Sequence, residues 1–146
     1  MQEKILVVDD ELEILELIAF NLKADGYEVV TAADGVAAIH QVRALVPDLI
    51  ILDLMLPEMD GFTVCEILQR SPTTAHIPII MLTAWSSELS RIIGLQIGAK
   101  DYIAKPFSPR ELMLCVKGIL LRSQKLNPPG KLKTTLARKI KTGLLS

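Results

Sequence analysis

Short unbroken apolar runs alternate along this chain with longer stretches in which apolar residues recur every three or four positions. Ile5-Leu6-Val7-Val8, Leu49-Ile50-Ile51-Leu52 and Ile77 to Leu82 are too short for stable helices, and their continuity predicts strands covered on both faces. Tyr27 to Thr31 and Asp101 to Ala104 read as two further strands, with Glu28 marking an edge. Helical spacing fills the gaps. Leu12, Leu15, Ile18, Ala19 and Leu22 define a first helix stopped by Gly26, and Asp34-Gly35 opens a second that runs to about Leu45. A third covers about Phe62 to Gln69, and a fourth about Ser87 to Ile97 with Gly98 as its stop. Ser108 as N-cap, Pro109 in the first turn and Glu111 closing a capping box open a fifth, which runs to about Arg122. Five strand–helix units in succession imply parallel pairing through right-handed crossovers, with helices on both faces. The expected fold is a three-layer α/β/α sandwich whose first, third and fourth strands are central.

Composition narrows the class. The chain has 146 residues, half of them apolar and few aromatic, enough for one domain with a sizeable core. No apolar run reaches membrane-spanning length, and Met1-Gln2-Glu3-Lys4 lacks the pattern of a signal peptide. Cys65 and Cys115 fall in helical patterns with neither metal-ligand spacing nor a CxxC pair, so both read as small buried hydrophobes in a reducing cytoplasm. His40 and His76 have no ligand partner at useful spacing and read as solvated. Charge divides the chain in two. Residues 1–122 carry all 17 acids and 10 of the 16 Lys/Arg, whereas 123–146 carry six bases and no acid. That break separates an acidic domain, 1–122, from a basic linker or tail, 123–146.

The chemistry gathers at the strand ends. Asp9-Asp10-Glu11 follows the first strand, Asp53 the third, Thr83 the fourth and Lys105 the fifth, and a parallel sheet brings such ends to one edge. Any one of these acids has a structural explanation: Asp53 as a turn former, or Asp10 as the N-cap of the first helix with Glu13 at the third helical position. Together the carboxylates repel one another, and the arrangement calls for a cation. All-oxygen ligation with few protein ligands suits Mg²⁺. A carboxylate nucleophile, a hard cation, a lysine and a hydroxyl are what phosphoryl transfer to an aspartate requires.

Five segments then carry a family likeness: Ile5-Leu6-Val7-Val8-Asp9-Asp10, Asp48 to Pro57, Met59-Asp60-Gly61, Met81-Leu82-Thr83-Ala84, and Gly98 to Phe107. In order and spacing, residues 3–122 resemble the receiver domain of two-component response regulators, the CheY-like relative of the flavodoxin-like fold. The resemblance implies strand order 2-1-3-4-5 and phosphorylation of Asp53 by a sensor histidine kinase. It implies Mg²⁺, with Mn²⁺ as a substitute, held by Asp10, Asp53 and the Met55 carbonyl, and by Asp9 through water. Lys105 would pair with the phosphoryl oxygens, Thr83 and Tyr102 would form a switch pair, and the Lys105-Pro106 bond would be cis. Trp85 is read either as a shield over the acyl phosphate or as a rim residue. Lys100 departs from the family, which often has Asp there. Met55-Leu56-Pro57 and Tyr102 to Leu112 look most like the OmpR/PhoB transcription factor group, whose fourth helix, fifth strand and fifth helix form a two-fold dimer face. Arg91, Asp101, Glu111, Lys117 and Arg122 would supply its charges, while Cys115 replaces the usual Arg.

Other readings exist. A stand-alone receiver would act through protein contacts alone. A Mg²⁺-dependent phosphohydrolase commonly has a second Asp two residues after its nucleophile, where this chain has Met55. A flavin-binding module would need more aromatic loops. In the tail, Asn127-Pro128-Pro129-Gly130 breaks the fifth helix, and Leu132, Leu136 and Ile140 recur among bases. Residues 123–146 are read as an interdomain linker, with the last seven resembling the start of a truncated winged-helix DNA-binding domain. DNA binding is accordingly expected only through a domain beyond this chain.

Overall fold

The computed structural model describes residues 2–84 and 88–126. Trp85, Ser87 and the tail residues 127–146 lie outside them. Ten elements alternate: β1 (Lys4–Val8), α1 (Leu12–Ala24), β2 (Glu28–Ala32), α2 (Gly35–Leu45), β3 (Leu49–Asp53), α3 (Gly61–Arg70), β4 (Ile79–Thr83), α4 (Glu88–Ile97), β5 (Asp101–Ala104) and α5 (Pro109–Leu126). The strands form one sheet in the order β2-β1-β3-β4-β5, every pairing parallel.

The period of two along each strand splits the core into two layers. Leu6, Val8, Ile50, Leu52, Ile79 and Met81 face one side, where they meet Ala38, Ile39 and Val42 of α2 and Val64, Cys65 and Leu68 of α3. Ile5, Val7, Leu49, Ile51, Ile80 and Leu82 face the other, against Leu15, Ile18 and Leu22 of α1 and Leu112, Val116, Ile119 and Leu120 of α5. β3 and β4 are buried at every position and β1 at four of five, as continuous apolar runs require. β2 is the half-exposed edge that Glu28 announces.

Local punctuation sets the helix ends. Asp34 and Asp60 each accept a hydrogen bond from the backbone three residues on, to Ala37 N and Thr63 N at 2.8 Å, and so cap α2 and α3. Gly26 and Gly98 adopt φ of 92° and 123°, the left-handed geometry that ends α1 and α4. Several expectations need correction. The N-cap of α1 is Glu11, not Asp10, and it caps with its backbone alone. Leu12, placed by spacing on the core stripe, is 65% exposed because the buried stripe starts at Leu15. β4 begins at Ile79 because Pro78 has no N–H for the ladder, although Ile77 remains in the core. Ser108 Oγ accepts from Glu111 N only at 3.5 Å, a weak cap, and α5 continues four residues past Arg122.

Candidate functional site

The carboxyl edge of the sheet is a charged floor. Asp9 follows β1, and its backbone N–H still reaches the Ala32 carbonyl of β2 at 3.2 Å. Asp53 ends β3 and Thr83 ends β4; both are fully inside the protein, as is Asp9. Lys105 follows β5, tied to β4 by its N–H to the Thr83 carbonyl at 2.6 Å, and the Lys105-Pro106 peptide is cis. The loop after β3 folds back over this edge. Gly61 N donates to the Leu54 carbonyl at 2.8 Å, and a Cβ on Gly61 would stand 2.5 Å from the Asp53 carbonyl oxygen. That approach is open only to glycine, which makes Gly61 part of what fixes Asp53.

Lys105 Nζ is the hub. It lies 2.9 Å from Asp9 Oδ2, 3.1 Å from Glu11 Oε1 and 3.3 Å from Asp53 Oδ2. The Glu11 and Asp53 contacts are directed hydrogen bonds. Asp9 Oδ2 is buried and makes no hydrogen bond among the described residues, so Lys105 meets it as a close charge contact. Asp9 Oδ1 accepts Glu11 N at 2.9 Å, and Asp53 Oδ1 accepts Met55 N at 3.0 Å. Burial, helped by the negative charge of Asp9, lifts the Asp53 carboxyl from the ordinary 3.8 to about 6, against the pull of Met55 N–H and Lys105. Burial pulls the Lys105 ammonium down, but its carboxylate partners outweigh that and raise it, so it is charged at neutral pH.

Asp9, Asp10 and Asp53 each offer a carboxylate oxygen, all within 4.8 Å of one another. An all-oxygen set with one buried oxygen lacking a hydrogen bond fits a small divalent cation. Asp10, exposed, faces a cavity of about 370 Å³ lined also by Leu54, Met55, Leu56, Pro57, Asp60 and Phe62. The main-chain turn at Met55 borders the same space.

The other expected residues are arranged around this edge. Tyr102 is half-buried on β5, opposite Met81, its ring against α4 where a Cβ on Gly94 would come within 3.3 Å of it. Arg91, Glu111, Lys117 and Arg122 are exposed on α4 and α5. Asp101, on β5, accepts the backbone N–H of Tyr102 at 2.8 Å and the Cys115 thiol at 3.0 Å. Cys115 is therefore not the buried hydrophobe expected of it. Burial first, then Asp101, pushes its thiol up to about 12. Cys65 is buried as expected, with its thiol raised to about 11 by burial first and the Glu66 charge second. His40 and His76 are exposed. Sequence reasoning gave no site role to Glu11, and nothing local marks a contact spanning 94 residues.

Comparisons with known proteins agree with this architecture. Residues 5–117 match the model of the response regulator receiver domain. The alkaline phosphatase synthesis transcriptional regulatory protein PhoP of Bacillus subtilis (strain 168) is 47% identical over 133 residues, which are 91% of this chain and 55% of that protein. The chain spans about half the length of the curated relatives it matches. A CheY-like response regulator receiver domain protein from Methanospirillum hungatei JF-1 superposes with a TM-score of 0.82 at 30% identity, covering 87% of this chain and all of that one. The chemotaxis response regulator CheY4 of Vibrio cholerae gives 0.77 at 33% identity over 82% of this chain and 99% of that one. Among the described residues no helix is long and apolar enough to cross a membrane.

Proposed function

Because the chain belongs to the response regulator receiver domain family, we propose that it works as a switch thrown by phosphorylation of Asp53. The observation that carries this reading is the Asp53 carboxylate, buried at the sheet edge and 3.3 Å from Lys105 Nζ. The donor is the phosphohistidine of a sensor histidine kinase. An Asp53 carboxylate oxygen attacks phosphorus, the new P–O bond forms as the P–N bond breaks, and the electron pair leaves with the imidazole. Lys105 and the Thr83 hydroxyl take phosphoryl oxygens. Asp10, Asp53 and the Met55 carbonyl would hold Mg²⁺ or Mn²⁺, with Asp9 acting through water. When bound, the ion neutralises charge on the transferring group. Met55 stands where a phosphohydrolase would have its general acid, so the acyl phosphate is made once and lost slowly.

Output follows from a population shift. Thr83 moves towards the phosphoryl group and the Tyr102 ring turns inward behind it, changing the surface of α4, β5 and α5. Ile92 and Leu95 of α4 and Leu114 and Leu121 of α5 are exposed apolar residues near Arg91, Asp101, Glu111, Lys117 and Arg122. These support a two-fold dimer that strengthens on phosphorylation. Transcriptional output is proposed by likeness to PhoP, through a DNA-binding domain beyond this chain, with 1–122 as the receiver and 123–146 as its basic linker.

Incubation with a small acyl phosphate and Mg²⁺, followed by intact mass measurement, tests the reading. One added phosphoryl group per chain is expected, with the donor consumed only slowly after it. Rapid consumption of many equivalents of donor would make the protein a hydrolase, and an unchanged mass with the donor left intact would exclude both.

A further inference from the structure

Glu11 occupies the N-cap of α1, a position that favours a short side chain able to reach the first free N–H groups. Its side chain makes no such cap. It turns instead to Lys105, 94 residues away, at 3.1 Å. Glu11 differs from the other partners of that ammonium in being 60% exposed, whereas Asp9 and Asp53 are buried. A lysine ammonium has three N–H donors. Two carboxylates hold Lys105 by hydrogen bonds and a third by a close charge contact. A phosphoryl group arriving on Asp53 brings several acceptor oxygens and added negative charge, so it must share Lys105 with the carboxylates already crowded round that ammonium. Asp9 and Asp53 are fixed in the floor. Glu11 alone of the three has water to move into.

We propose that Glu11 is a positioning residue that holds Lys105 in the resting state and competes with the phosphoryl group for it, so that its release is part of the cost of activation. This rests on Asp53 as phospho-acceptor. The proposal makes Glu11 oppose the phosphorylated state although it stands beside the acidic cluster. Without its contact, a bound phosphoryl group should be held more tightly. Without its charge, a cation in the neighbouring carboxylates should be held less tightly.

Two variants separate contact from charge. Glu11→Gln keeps the length and removes the charge. Glu11→Asp keeps the charge and shortens the side chain by about one C–C bond, too short for Lys105. Calorimetry measures Mg²⁺ affinity, then the affinity for beryllium trifluoride, a phosphoryl mimic, at saturating Mg²⁺. The wild type should bind both. Glu11→Gln should bind the mimic about two- to fivefold tighter, the range for an ion pair with one solvated partner, and bind Mg²⁺ weaker by a similar factor. Glu11→Asp should also tighten the mimic while leaving Mg²⁺ affinity near the wild-type value. A misfolded variant would lose both affinities together, which this pattern excludes. Unchanged mimic affinity in both variants would overturn the latch. Tightening in Glu11→Gln alone would overturn it too, leaving only a general charge effect. A wild type that binds no mimic would instead remove the phospho-acceptor reading on which the latch depends.

Discussion

Replacing Asp53 with Asn should make the metal-free protein more stable above pH 6. Burial is the main reason that the Asp53 carboxyl is raised from 3.8 to about 6. Roughly two pKa units correspond to ~3 kcal/mol, the ceiling on what ionising this side chain costs the native state. Asn keeps an acceptor for Met55 N–H, whose bond to Asp53 Oδ1 is 3.0 Å, but gives up the charge contact with Lys105. The value of about 6 already contains the pull of that contact, so the gain at high pH is up to ~3 kcal/mol. The pH dependence has a definite sign. A carboxyl with a raised native pKa stays protonated in the folded chain while the unfolded chain ionises, so wild-type stability falls as pH rises from about 4 to about 6 and is level above. The advantage of Asp53→Asn should therefore be full at pH 8 and shrink to roughly a third at pH 4.5. Urea unfolding of both proteins in chelator at the two pH values measures it. Adding Mg²⁺ should narrow the gap at pH 8, because the native wild type gains a ligand that the variant holds poorly. An Asn variant no more stable than wild type at pH 8, or equally advantaged at both pH values, would refute the buried-charge account.

Three further outcomes follow from the same geometry. Gly61→Ala should destabilise the fold by about 1–3 kcal/mol and depress phosphorylation, because its Cβ must displace the Asp53 carbonyl 2.5 Å away; wild-type stability and labelling would show that this approach constrains nothing. Mg²⁺ affinity should be level above pH 6 and drop about tenfold per pH unit below it, since the ion must then displace the Asp53 proton; a calorimetric series from pH 5 to 8 that stays flat would contradict this. Cys115→Arg should release the Asp101 carboxylate from its 3.0 Å thiol contact, add a cation to the proposed dimer face and tighten the phosphorylated dimer about threefold, and sedimentation showing an unchanged or weaker dimer would argue against that face.

How far the sequence alone could reach differs between strands, caps and site. Leu49 to Leu52 leave no polar face for solvent, so their burial between two helical layers is dictated locally. The edge strand β2 is equally legible through Glu28, though its bounds shift by one residue because edge pairing is weakly specified. Asp60, the N-cap of α3, read only as a turn former, whereas helix ends governed by Asp34, Gly26 and Gly98 follow local backbone needs and were readable. Val46, which ends α2 at φ 45°, was not, since a β-branched residue rarely takes that conformation. Asp9, Asp10, Asp53, Thr83 and Lys105 were legible as a group because parallel topology sends strand ends to one edge. Side-chain partners were not. The Glu11–Lys105 and Asp101–Cys115 contacts depend on how α1 and α5 lie against the sheet, and no periodicity encodes that. Leu12 shows the limit of spacing itself, as the first residue of α1 lies beyond the patch the helix buries.

The central claim is that Asp53 receives the phosphoryl group, and chemical trapping tests it most directly. The protein is treated with a small acyl phosphate and Mg²⁺ and then with borohydride, which reduces an aspartyl phosphate to homoserine; peptide mass spectrometry locates the product. Homoserine at position 53 alone, formed only when Mg²⁺ is present, is the expected result. Homoserine at Asp9 or Asp10, or phosphorylated protein with position 53 still Asp, would contradict the account.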